Sequence, residues 1–110
     1  MNIVNEIGLP ATLEQCAEEC NELAQACLKM ARKLRGDNPT PKSIDEIVAN
    51  LTEEIADVEV CIDEILYSKI VSDDSIDTVK KSKTRRWRQR VLNKQSERGD
   101  TNANSQIYCR

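Results

Sequence analysis

A chain of 110 residues, 39% of them apolar and 32% charged, has the length of one small domain. Three aromatic residues (Tyr67, Trp87 and Tyr108), three glycines and three prolines are too few for the strands and turns of a β-sandwich or barrel. The absence of histidine excludes a histidine base and the Glu-x-x-His site of ferritin-like bundles. The net charge of −3 conceals a segregation: residues 1–79 hold 17 acids and 6 bases, a net −11, whereas residues 80–110 hold 10 bases and 2 acids, a net +8.

In chain order, residues 2–7 allow a short helix broken by Gly8 and Pro10. A first long helix is predicted from Thr12, whose hydroxyl and Gln15 form the T-x-x-Q pattern of a capping box. Leu13, Cys16, Ala17, Cys20, Ala24, Cys27, Ala31 and Leu34 recur at spacings of three and four, one apolar stripe. Gly36 ends that helix, and the DNPTP turn, with Pro39 and Pro41, separates it from the next. A second capping box, Ser43 to Glu46, opens a helix running to about Tyr67, with Ile44, Ile47, Val48, Leu51, Ile55, Val58, Ile62, Ile65 and Leu66 as its stripe. The short turn implies an antiparallel hairpin. After a connection at 70–75, a third helix is predicted from about Ile76 to Lys94, its apolar content thin (Ile76, Val79, Trp87, Val91 and Leu92), with Ile76 and Val79 marking its inner face. Residues 95–110 read as a polar tail.

The expected fold is all-α: an antiparallel hairpin plus a basic third helix over residues 1–94, a four-helix-bundle-like core completed by dimerisation, as a dimer or a dimer of dimers. Charges interrupt residues 44–66 too often for a membrane span, and the N-terminus lacks the pattern of a signal peptide. Five cysteines, an odd number with no C-x-x-C pair, read as reduced, with Cys16, Cys20, Cys27 and Cys61 as small core residues. A cytoplasmic protein without a membrane partner is the expectation.

Two pairs of acids fall where a core is expected. At about 100° per residue, Glu54 lies roughly 20° outside the stripe of the second helix and Asp57 on the adjoining flank; in the first helix Glu19 lies about 40° beyond Leu23 and Glu22 about 60° further round. Acids three apart on a helix are neighbours, so each pair converges, and packing the helices together gathers all four. Four clustered carboxylates repel one another unless a hard divalent cation, Mg²⁺ or Mn²⁺, holds them. Most Glu pairs on helices simply face water, as Glu18, Glu53, Glu59, Asp63 and Glu64 are expected to do.

Residues 80–94 contain eight bases and no acid. Lys83, Trp87, Arg90 and Lys94 share one side of the third helix, with Arg86 beside them. These cations suit the phosphates of a nucleotide, with Trp87 free to stack on a base or to pack. The same run is also what a nucleic-acid-binding helix looks like. A helical dimer binding nucleic acid or a regulatory partner through 80–94 is therefore the alternative, which the acidic balance of residues 1–79 disfavours.

Together, Glu18-Glu19-Cys20-Asn21-Glu22 resembles the E-E-x-x-E motif of the MazG-like all-α nucleoside triphosphate pyrophosphohydrolases. Glu53-Glu54-Ile55-Ala56-Asp57 resembles their E-E-x-x-D motif, and Lys83 to Arg90 their looser basic motif. The resemblance spans roughly residues 12–94 in the family's order. It implies a helical dimer and Mg²⁺-dependent cleavage between the α and β phosphates of nucleoside triphosphates, releasing a monophosphate and pyrophosphate, in nucleotide-pool sanitation. Carried over by position, Glu19, Glu22, Glu54 and Asp57 are the metal ligands and catalytic acids. Lys83, Arg86 and Arg90 contact phosphates, with Trp87 beside them. The long interval between the acidic motifs and the lack of an Asn near Lys83 depart from the family pattern.

Overall fold

A computed structural model describes residues 1–36 and 41–98. Among them every regular element is helical: α1 (Ile3–Ile7), α2 (Leu9–Arg35), α3 (Ile44–Tyr67) and α4 (Asp73–Arg98). The chain divides into two compact units, Met1–Ser72 and Asp73–Arg110. The all-α expectation holds, and no helix of the described residues is long and apolar enough to cross a membrane.

The second long start was read correctly. Ser43 Oγ accepts from the Glu46 amide at 3.2 Å, and Glu46 Oε1 accepts from the Ser43 amide at 3.3 Å, a closed capping box. The first was not. α2 begins three residues earlier than Thr12, with Gly8 as its N-cap at φ 87°, a value that favours glycine. Pro10 lies in the first turn, where the missing N–H has no helical partner to lose, so it starts the helix rather than breaking it. Thr12 is buried inside that turn and its hydroxyl donates to Gly8 O at 2.8 Å. Gly36, left-handed at φ 71°, closes α2 through its amide to Arg32 O at 2.9 Å. The turn residues 37–40 lie outside the described part.

α1 and α3 meet where the Val4 amide donates to Glu64 Oε1 at 2.9 Å. Glu64 was expected on the solvated face; instead it is half-buried and satisfies an N-terminal amide that the helix itself cannot. α2 and α3 form the hairpin. Partners run in opposite order along it, Cys16 meeting Cys61 and Glu22 meeting Glu54, so the helices are antiparallel.

The seam between them is narrow. On α2 it runs through Thr12, Cys16, Glu19, Leu23, Ala26 and Met30; on α3 through Ile47, Glu54, Val58, Cys61 and Ile65. No large side chain is completely buried. Compared with the stripes legible in the sequence, the seam is turned by roughly 85° on α2 and roughly 60° on α3, where Ile47, Val58 and Ile65 belong to both. The displaced strips remain exposed, among them Leu13 (43%), Ile55 (41%) and Ile62 (41%). On antiparallel helices, rotations of one hand leave both strips on the same side of the hairpin.

Two cysteine expectations change for this reason. Cys61 is buried and Cys16 half-buried, but Cys20 and Cys27 belong to the displaced strip and are exposed; all four are free thiols. Cys109 lies outside the described residues.

α4 starts at Asp73, whose charge and that of Asp74 suit the positive end of a helix. It runs to Arg98, four residues past the expected end, and residues 99–110 are outside the described part. None of its side chains is buried: Ile76, Val79, Trp87 and Val91, expected on the inner side, are exposed, and so is Leu92. The reason is compositional, since nine bases and four acids leave too few apolar residues for a packed face.

Candidate metal centre

Glu19 and Glu22 come from the middle of α2, Glu54 and Asp57 from the middle of α3. Within each pair the three-residue spacing stacks the two side chains, and the antiparallel seam sets one pair against the other. One carboxylate oxygen of each of the four lies within 4.8 Å of the others. Glu19, Glu54 and Asp57 are half-buried and Glu22 is exposed, so the cluster opens to solvent on the Glu22 side. The four acids predicted from the sequence are thus brought together.

Their hydrogen bonding is incomplete. Gln15 Nε2 donates to Glu19 Oε1 at 2.8 Å, but Glu19 Oε2 and Glu54 Oε2 are buried with no partner. Desolvation raises the Glu54 carboxyl above its ordinary value, and the charges of Glu22, Asp57 and Glu19 raise it further. A cation accounts for both observations: it supplies the missing partner of each orphaned oxygen and offsets the repulsion. The all-oxygen set suits Mg²⁺ or Mn²⁺ and not a soft metal.

One turn along the seam the Cys16 thiol lies within hydrogen-bonding reach of those of Cys20 and Cys61. Burial pushes the Cys16 and Cys61 thiols up; the neighbouring thiols add to this for Cys16, and Glu19 adds to it for Cys61. They are therefore protonated packing groups rather than nucleophiles. Glu18 and Glu53 are exposed, as the helical wheel predicts.

Gln15 was missed as a site residue because it was assigned to capping Thr12. Its i,i+4 relation to Glu19 was the available signal. Lys83, Arg86, Trp87 and Arg90 share one side of α4, in the second unit, all exposed, with Trp87 at 67%. A shallow groove there is lined by Trp87, Arg90, Val91, Asn93, Lys94 and Glu97.

Comparison with models of known families, with curated proteins and with solved structures finds no match.

Proposed function

We propose that the protein is a Mg²⁺-dependent nucleotide pyrophosphohydrolase of the MazG-like kind, hydrolysing nucleoside triphosphates between the α and β phosphates. The observation that carries this reading is the convergence of Glu19, Glu22, Glu54 and Asp57 within 4.8 Å around two unpartnered buried oxygens. Surface acids have no such orphaned atoms, because water reaches them.

A divalent cation held there supplies charge neutralisation at the phosphates and lowers the pKa of water. The four carboxylates would hold it, and Gln15, which donates to Glu19 Oε1, would fix the rotamer of one ligand. Lys83, Arg86 and Arg90 bind phosphate oxygens, and Trp87 offers an aromatic face to a base. In the reaction a new bond forms between the oxygen of water and the α-phosphorus. The bond from that phosphorus to the bridging oxygen breaks, and pyrophosphate leaves with its electron pair. With no histidine, a carboxylate must take the proton lost by water.

The reading includes a homodimer or dimer of dimers. The exposed apolar strips on one side of the α2–α3 hairpin support it, since they form a two-helix face that a second copy would cover.

The test is pyrophosphate release from a panel of ribo- and deoxyribonucleoside triphosphates, with Mg²⁺ and with EDTA. Metal-dependent release with monophosphate as co-product is expected. Orthophosphate release would place the cleavage elsewhere, and no release from any member would remove the hydrolase reading for common nucleotides.

A further inference from the structure

α4 has two unlike sides. At about 100° per residue, Ile76, Val79, Trp87 and Val91 cluster on one, while Ser82, Gln89 and Asn93 cluster on the other. Roughly 60° to 120° to one side of that polar strip stand Lys81, Arg85 and Arg88, and roughly 40° to 100° to the other stand Arg86, Arg90 and Lys83, the last two among the apolar residues. A single triphosphate requires one flank. Two sets of cations on either side of a polar strip match anions on two walls.

We propose that α4 is a docking surface for duplex DNA, with its Ser82–Gln89–Asn93 side in the major groove and its two basic flanks against the two phosphate strands. Charge complementarity is the first support: residues 80–94 carry eight bases and no acid. The negative balance of the chain, which argued against nucleic acid at the level of composition, is concentrated in the other compact unit, where residues 1–72 hold 14 acids and 6 bases. Fit is the second. A B-form major groove about 12 Å wide admits one α-helix, whereas that of duplex RNA is too narrow.

Amide chemistry is the third support. Gln89 Nε2 donates to Asn93 Oδ1 at 2.9 Å, which locks the two side chains together on the exposed surface. The pair leaves Gln89 Oε1 as an acceptor and Asn93 Nδ2 as a donor. Adenine presents the complementary set in the major groove, the N6 amino group as donor and N7 as acceptor. The exposed Lys81–Asp77 pair at 3.7 Å is weak enough to yield to phosphate. A groove beside Arg85 and Arg88 is open to such a ligand. The proposal stands independently of the hydrolase reading.

The experiment is fluorescence anisotropy of the full chain with a labelled mixed-sequence DNA duplex across a salt series. Six phosphate contacts predict a log–log salt slope of about −5, and roughly a thousandfold weaker binding at 200 mM than at 50 mM salt. The triple variant Lys81→Ala, Arg85→Ala, Arg88→Ala touches no residue assigned to nucleotide binding. It is expected to retain its helical circular dichroism and to reduce the slope by about 3. Selection from random duplexes is expected to enrich an A·T-containing site, and Gln89→Ala with Asn93→Ala to lose that enrichment. No duplex binding at 50 mM salt, tighter binding to RNA duplex or single strands, or an unchanged slope in the triple variant would each overturn the proposal. Binding with no sequence enrichment would overturn the placement of the amide side in the groove.

Discussion

Glu54 is the residue at which the metal-free protein is most in conflict with itself. Its carboxyl is raised above about 4.5 by desolvation and then by Glu22, Asp57 and Glu19. A raised acid binds its proton more tightly folded than unfolded. Its contribution to stability is therefore complete below the unfolded value and is lost as pH rises through the folded one. Glu54→Gln cannot titrate and escapes this loss. In EDTA the melting temperature of the variant should gain on that of the native chain as pH rises above about 4.5. Saturating Mg²⁺ should reverse the order, because only the native site gains binding energy. Thermal melts by circular dichroism read both arms; identical curves in EDTA would mean that the four carboxylates are not crowded. In turnover, Glu54→Gln should lose more than about a hundredfold, since disturbing even the outer partners of a ligand costs 10- to 100-fold. The four acids were legible in the sequence because a spacing of three on a helix is itself a spatial statement. Gln15 was not, because one side chain had two plausible local partners and its sequence position favoured the wrong one.

Individual helices were legible where a terminus carries its own chemistry. Ser43 and Glu46 satisfy each other's amides, and nothing distant competes. Ser43→Ala should accordingly cost about 1 kcal/mol of stability, read by urea denaturation, with the slope of the transition unchanged. At the start of α2 the same pattern misled, since Thr12 and Gln15 are preceded by Gly8 and Pro10, a still better opening. The end of α4 was misplaced for another reason: with none of its side chains buried, no apolar rhythm marks where it stops.

For the hairpin as a whole, hydrophobic periodicity located the helices but not the face by which they meet. Stripe and seam differ by roughly 60° to 85° because the seam accommodates Glu19, Glu54 and Thr12, which an apolar count passes over. The strips left exposed belong, on the proposed reading, to a second copy. Sedimentation velocity should show a dimer, and Ile55→Glu with Ile62→Glu should yield a monomer that keeps its helicity. A native chain that sediments as a monomer at tens of micromolar, roughly, would refute that assembly. Putting the carboxylates in the seam and the apolar residues beside it makes sense of both strips, since a site between two helices needs polar walls and the burial must come from elsewhere.

The bond from the Val4 amide to Glu64 Oε1 joins the first turn of the chain to the last turns of α3, sixty residues away. That amide is held by a side chain and not by its own helix, so its proton can leave only when the end of the hairpin opens. A single slowly exchanging hydrogen near the N-terminus is thus a clock for the opening of the hairpin end that holds the last turns of α3, readable without any label or ligand.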